Sequence, residues 1–322
     1  MKAAVITGPS TPVAYGDFAE PVLGDGHELV ELAAAGIHPV VRSLATGAHY
    51  GSSGVWPLIP GIDAVARTAN GDLVYTGYVS APYGTLAERM SVPAAMRLPL
   101  PAGADPAQIA GGLNPGLSSW LPLTARAAEV DSLGTVLILG ATGAAGQLAV
   151  QNAAALGADR VIGVGRNRSA LEHVAALGAT TVALTGSREA DAAAMTDALD
   201  SHAPSLVLDF VWGGTAEAAF TALSRKGLGE DDADISYVEI GSLAGADAAV
   251  PASMLRSRRI RISGSGAGSS SVADIMAQLP AYMGMIADGR VSVQTRSFPL
   301  SQVADAWEAS TTSGTRVVVV PD

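Results

Sequence analysis

Three small residues, Ala141, Gly143 and Gly146, follow directly on the aliphatic run Val136–Leu139 and precede an Ala-rich stretch, all within "VLILGATGAAGQLAVQ" (136–151). A strand, a small-residue turn and a helix in that order form a cradle for a diphosphate. Gly143 lets the backbone approach the phosphates, and Gly146 lets helix and strand pack closely. The N–H groups of Ala144, Ala145 and Gly146 open the helix, where its dipole favours an anion. Ala141 takes the place of the first glycine of the usual fingerprint. Gly157 stands where the helix should close. The chemistry expected of this turn is dinucleotide binding.

The next strand, "DRVIGVGRNRS", bears on which dinucleotide. A site for NAD usually ends this strand in a carboxylate that accepts from the ribose 2′-hydroxyl. That position falls near Gly165, and Arg166, Asn167 and Arg168 follow it. A guanidinium there suits a 2′-phosphate, because Arg makes bidentate charge-assisted bonds. The expected cofactor is NADPH. The alternative is a loop of exposed arginines that tolerates NAD.

The elements that position these turns can be read from rhythm. From about Gly134, the apolar runs "TVLILG", "RVIGVG", "TTVAL", "SLVLDFV", "SYVEIGS" and "IRISGSG" alternate with helical patterns. That alternation predicts an α/β, doubly wound parallel sheet covered on both faces. The first third, by contrast, holds short strand candidates separated by Gly, Pro and Asp and shows no long helix. Pro115 marks the expected start of a helix leading into the second region. The tail predicts two helices, "VADIMAQLPAYMGMIADG" and "LSQVADAWEAS", a terminal strand "RVVVVP", and a flexible loop at 264–271.

Composition narrows the function classes. The chain has 322 residues, a net charge of −11 and no cysteine. Thiolate nucleophiles, disulfides and Cys-bound metal centres are excluded. The acidic balance argues against nucleic acid or an anionic membrane as the main partner. Arg256, Arg258, Arg259 and Arg261 form the one tight basic group, read as a strand-flanking cluster. The charge-free stretch between Asp131 and Asp159 imitates a membrane span, but its glycines, Gln147, Gln151 and Asn152 indicate a buried strand–turn–helix. The N-terminal stretch has too short an apolar core for a secretory signal. A cytoplasmic location is expected.

Several segments carry a resemblance: "MKAAVITGP", "AAAGIHPVVRSLATGAHY", "PLIPGIDAVA", "YGTLAERMSVP", "NPGLSSW", "GATGAAG" and "PLSQVADAW", in that order along the whole chain. The sequence resembles the medium-chain dehydrogenase/reductase superfamily, in its zinc-independent quinone oxidoreductase-like group. The resemblance implies a GroES-like β-rich substrate domain built from 1–116 and 261–322, with a Rossmann domain at 117–260. It also implies a homodimer. In the zinc enzymes of the superfamily a Cys would stand at His38 and a His at Ile62 of "PGID". One imidazole does not make a tetrahedral site, so no metal is expected. Where relatives use a Lys and a Tyr on the 2′-phosphate, this chain has Ala170 and Thr185. By resemblance, Val211–Gly213 and Ile240–Gly241–Ser242 end strands that meet the nicotinamide side.

Without a Lewis acid, hydride addition to a quinone or an α,β-unsaturated carbonyl is easier than reduction of a simple ketone. The incoming charge spreads over a conjugated system and ordinary hydrogen bonds suffice. Tyr50, His38 and Ser118 are the catalytic candidates, with His49 a further donor. Trp56, Tyr83 and Trp120 are candidates for an apolar wall, or simply core. The reading is an NADPH-dependent oxidoreductase acting on a small electrophilic substrate. A carbonyl or enoyl reductase of a biosynthetic intermediate, and a redox sensor with little turnover, stay open.

Overall fold

The computed structural model describes residues 1–77, 79–200, 202–227, 229, 231–266, 268–312 and 314–322. Tyr78 of an expected strand, Ser201 of an expected helix and Ala267 of the expected 264–271 loop lie outside the described residues. The chain divides into two units, Met1–Pro115 with Pro280–Asp322, and Gly116–Leu279.

The chain begins with β1 (Lys2–Val5), β2 (Ala14–Asp17), β3 (His27–Ile37), α1 (Pro39–Thr46), β4 (Asp63–Arg67), β5 (Leu73–Gly77), β6 (Arg89–Pro93), β7 (Leu98–Pro99) and α2 (Pro106–Ala127). The middle runs through β8 (Thr135–Leu139), α3 (Ala144–Ala155), β9 (Arg160–Gly165), α4 (Arg168–Ala176), β10 (Thr180–Ala183), α5 (Arg188–Leu199), β11 (Leu206–Asp209), α6 (Gly213–Leu223), β12 (Ile235–Glu239), α7 (Ala252–Ser257) and β13 (Ile260–Gly264). It closes with α8 (Val272–Ala287), β14 (Thr295–Pro299), α9 (Val303–Ala309) and β15 (Arg316–Val320).

In the first unit, the long strand β3 is the centre of a sheet. It pairs antiparallel with β4, β6 and β15, and β15 pairs parallel with β14. Val317 of the C-terminal strand lies opposite Ile37, so distant parts of the chain complete one sheet. Alternating apolar residues turn inward to a core that includes Val30, Leu32, Leu86, Met90, Val303 and Val319. The short helix α1 starts with Pro39 at its first position and ends at Gly47, whose φ of 80° is the left-handed conformation that stops a helix.

In the second unit, six parallel strands run in the order β10-β9-β8-β11-β12-β13. The order reverses between β8 and β11. This is the doubly wound Rossmann arrangement, whose ligands lie beyond the carboxyl ends of the strands at that reversal. Apolar clusters cover both faces, Leu137, Val207 and Phe220 on one and Val136, Ile138 and Leu208 on the other. Strands buried on two sides need continuous apolar runs, which is why "TVLIL" and "LVL" read so clearly.

Two expected boundaries move. The helix expected from Pro115 begins at Pro106, where the Asp105 carboxylate accepts from the Ala107 N–H at 2.8 Å and caps it. Pro115 lies inside α2. The return at 261 cuts through β13, yet β13 is an edge strand of the parallel sheet, paired with β12 from Ile235–Ile260 to Glu239–Gly264. The chain rejoins the first unit at Pro280, within α8.

Candidate cofactor and active site

The expected diphosphate turn sits at the carboxyl end of β8. Gly140 carries the left-handed turn, with a φ of 86°. Ala141 is therefore tolerated one position later, in the place of the fingerprint's first glycine. The N–H groups of Gly140 and Ala141 both donate to the Val164 carbonyl, at 3.0 and 2.9 Å, and tie this turn to β9. At Gly146 a Cβ would lie 2.3 Å from the Gly140 carbonyl oxygen and 2.6 Å from the Ala141 Cα, so only glycine fits. Gly143 is the N-cap of α3 and no side chain caps the helix. The first N–H groups of α3 are thus left for a ligand anion. Gly157, with a φ of 81°, follows the end of the helix.

The β9 end packs against this turn. A Cβ on Gly165 would stand 2.5 Å from the Thr142 Cγ2, so the position where an NAD site holds its carboxylate is already filled. Arg166, Asn167 and Arg168 follow in the open. Asn167 N-caps α4, its Oδ1 accepting from the Ala170 N–H at 3.1 Å. Neither Arg166 nor Arg168 has an ion-pair partner among the described residues. Thr185 is occupied elsewhere: its N–H and hydroxyl donate to Asp191 at 2.7 and 2.8 Å. The cradle and its two unpaired cations fit a dinucleotide that carries an additional phosphate.

Val211, Ile240, Gly241 and Ser242 gather at the carboxyl ends of β11 and β12. Val211, Ile240 and Gly241 are held by Asp209, a residue the sequence reading missed. It is wholly buried. Its Oδ1 accepts from the N–H groups of Val211 and Trp212 at 2.9 and 2.8 Å, and its Oδ2 accepts from the Tyr237 hydroxyl at 2.5 Å. Burial pushes its carboxyl up, against the lowering effect of these bonds. Burial, then the Asp209 charge and hydrogen bond, push the Tyr237 phenol well above its ordinary value. Beside them, a cavity of about 360 Å³ is lined by Trp212, Glu239, Ser242, Ala246, Ser263 and Gly264. Burial, then Asp209, raise the Glu239 carboxyl as well.

In the first unit, His38 is buried at the N-cap of α1. Its Nε2 stands 3.4 Å from Asp63 Oδ1, and the Tyr75 hydroxyl donates to Asp63 Oδ2 at 2.7 Å. The ring fills the space where a side chain on Gly36 would be, 2.5 Å from its Cβ position. Asp63 and Tyr75 were also missed, although "PGID" offered a carboxylate beside the inspected Ile62. Tyr50 lies on the turn after α1, 80% exposed, its ring tilted over His49 at 4.1 Å. Trp56 and Tyr83 pack against the first unit's core, the Trp56 indole donating to the Ala45 carbonyl. In the second unit, Trp120 is buried and donates to Gln278, and Ser118 is half-buried within α2.

Three of the four arginines of the basic cluster are tied into the structure. Arg258 pairs with Asp231, Arg259 donates to the Ala233 and Asp231 carbonyls, and Arg261 reaches Glu129 and Asp234.

A family model described as zinc-binding dehydrogenase matches residues 144–281. A probable NADPH-dependent quinone reductase of Emericella nidulans, tdiC, is 31% identical over 363 aligned positions, covering 100% of both chains. The chain belongs to the quinone oxidoreductase-like medium-chain dehydrogenases/reductases. By that membership it is an oxidoreductase. Among solved structures, an alcohol dehydrogenase superfamily protein of Novosphingobium aromaticivorans superposes with a TM-score of 0.83 at 24% identity, covering 100% of both chains. A Thermus thermophilus quinone oxidoreductase, also solved with NADPH, gives 0.72 at 26% identity, covering 99% of this chain and 100% of that one. The chain has no cysteine, and among the described residues no three or more His, Asp or Glu side chains are grouped so that they could hold a metal ion.

Proposed function

We propose that this protein is an NADPH-dependent reductase of quinones or α,β-unsaturated carbonyl compounds that works without zinc. The observation that carries the cofactor choice is Thr142 in the space beside Gly165, with Arg166 and Arg168 unpaired just beyond. Quinone as acceptor is supported by the reductase names borne by tdiC and the Thermus protein.

NADPH, when bound, supplies a hydride from its nicotinamide ring. The rest is done by the chain. The N–H groups of Ala144, Ala145 and Gly146 hold the diphosphate. Arg166 and Arg168 neutralise the 2′-phosphate, while Asn167 fixes the start of α4. Val211, Ile240, Gly241 and Ser242 line the nicotinamide end. Tyr50, whose hydroxyl is exposed, donates a hydrogen bond to the acceptor oxygen as charge builds there. His38 is closed off from solvent, and its part is to hold the junction of β3 and α1 against Asp63. Ser118 lines the cofactor side. A conjugated acceptor needs no stronger electrophile than these donors. The reading includes a cytoplasmic location and a homodimer; the dimer is supported by an edge strand, β13, that pairs with β12 alone among the described residues. No described helix is long and apolar enough to cross a membrane.

The test is NADPH oxidation across quinones, enals, enones, enoyl thioesters and saturated ketones. Turnover is expected with conjugated acceptors only. Efficient NADP⁺-dependent oxidation of simple alcohols, with quinones and enones inert, overturns the reaction class.

A further inference from the structure

A single residue joins both segments that were assigned to the nicotinamide end. Through its carboxylate, Asp209 takes the N–H groups of Val211 and Trp212. Through its carbonyl, it takes the N–H groups of Ile240 and Gly241, at 2.7 and 3.2 Å. No other described residue bonds to both segments in this way. We infer that Asp209 is the positioning residue of the nicotinamide end: it sets where the hydride donor lies, while the adenosine end supplies most of the grip.

The argument starts from cost. A carboxylate with no exposed surface, at the end of the strand "LVLD", is expensive to desolvate unless hydrogen bonds replace its hydration. Here the two backbone donors saturate Oδ1 and the Tyr237 hydroxyl bonds Oδ2, three donors in all. What this arrangement maintains is a backbone that resists its own conformation. Trp212 has φ 55° and ψ −153°, a region that side-chain-bearing residues rarely enter. Gly213 follows at φ 58°, and a Cβ there would lie 2.7 Å from the Ala244 carbonyl oxygen. The Val211 carbonyl accepts from the Ala244 N–H at 2.7 Å. The Trp212 ring meets Phe220 and Tyr237 edge-on, with centroids 5.8 and 6.3 Å away. Strain of this kind persists only where the surroundings over-determine it, and it concentrates at functional sites.

The strained turn also abuts the diphosphate turn. A Cβ on Gly140 would stand 2.8 Å from the Val211 Cγ1. The adenosine contacts at Arg166 and Arg168 are on the other side of β8 in the sheet order and share no hydrogen bond with Asp209. Losing Asp209 should thus loosen alignment and leave affinity nearly intact, and alignment sets the rate of hydride transfer.

This inference rests on the NADPH reading, so the experiment has one arm that needs no acceptor. Full-length wild type, Asp209→Ala, Asp209→Asn and Tyr237→Phe would be titrated with NADPH while the emission of the bound nicotinamide is recorded. Turnover with a conjugated acceptor would be measured with NADPH and with its 4-deuterated form. For Asp209→Ala the expected result is a dissociation constant within threefold of wild type. Its bound nicotinamide emission should move toward that of free NADPH, its kcat should fall at least tenfold, and its deuterium isotope effect should grow. Asp209→Asn keeps an acceptor for the two N–H groups and should recover most of the emission and rate. Tyr237→Phe should shift both in the same direction by less, and it carries the test if Asp209→Ala does not fold. Arg166→Ala, as a control, should weaken binding and leave the emission of the bound form unchanged. Wild-type emission and kcat in Asp209→Ala, or in Tyr237→Phe if it stands alone, overturn the inference. So does a parallel loss of affinity and rate with no rescue by Asn. If the emission arm behaves as expected and no acceptor is turned over, the reductase reading fails and the positioning role stands.

Discussion

The methyl group of Thr142 occupies the place where a side chain on Gly165 would begin, 2.5 Å from its Cβ position. The phosphate turn after β8 and the specificity turn after β9 are thus fitted to one another. A carboxylate cannot simply be added at the end of β9 to recreate an NAD site. Gly165→Asp alone should overpack this contact and cost about 1–3 kcal/mol of stability. Thr142→Ala removes the offending methyl, leaving only the Thr142 Cβ position at 3.4 Å. The double variant should recover most of the lost stability and shift preference toward NADH. Thermal unfolding with both nucleotides checks this; an undisturbed Gly165→Asp protein would refute the fit.

The unpaired arginines give a separate outcome. One charge-assisted hydrogen bond contributes about 1.5–3 kcal/mol, which is roughly tenfold or more in affinity. Arg166→Ala/Arg168→Ala should therefore bind NADPH at least tenfold more weakly and leave NADH unchanged. Wild-type affinity for NADPH should also fall with added salt more steeply than that for NADH, because exposed charges are screened. Fluorescence titration at two ionic strengths measures both. Equal wild-type affinities for the two nucleotides would remove the basis of the assignment.

The parts of this fold that are legible in the sequence are those written locally. Each strand of the second unit is a short aliphatic run, because both faces are buried and every position must be apolar. Gly146 and Gly157 are legible because backbone geometry requires glycine there. Boundaries were harder. Pro106 and Pro115 are both acceptable helix starts by local rules, and only the Asp105 cap decides between them. The run "IRISGSG" was legible as a strand of the parallel alternation, but the boundary at 261 cut through it, because where the chain leaves the sheet depends on pairing with β12 and not on local pattern. The least legible features were the buried acids. Asp209 depends on Tyr237 and Asp63 on Tyr75, and no local spacing reports such a pairing. The one available sign was a carboxylate inside or beside an apolar strand, which is costly enough to need a reason.

Tyr50 offers a test of the acceptor side. Its hydroxyl is exposed and its ring rests on His49, so removing the oxygen disturbs little packing. If it donates to the developing oxyanion, Tyr50→Phe should lower kcat by about 10²-fold, in the range of a general acid's contribution. NADPH affinity should stay within about threefold. Steady-state kinetics with one conjugated acceptor decides it. An unchanged kcat would mean that solvent delivers the proton and that Tyr50 serves only as surface.

The last expectation concerns acid and Asp209. Burial raises its carboxyl above the usual 3.8. The folded protein therefore holds this proton more tightly than the unfolded chain does. Between the unfolded value and the raised folded value, the folded state binds more protons, so this group makes stability fall as pH rises. Below that window the penalty is absent, and above it the penalty is constant. Asp209→Asn carries no such titration. It also relieves Glu239, whose carboxyl the Asp209 charge helps to raise, and that change acts in the same direction. The other carboxylates are common to both proteins and cancel in the comparison. The difference in melting temperature, Asp209→Asn minus wild type, should therefore increase as pH rises from about 3.8 through the raised value, then level off. Calorimetry of both proteins across the acid range measures it. A difference that is flat with pH, or that shrinks as pH rises, would show that Asp209 is not raised and that its hydrogen bonds outweigh its burial.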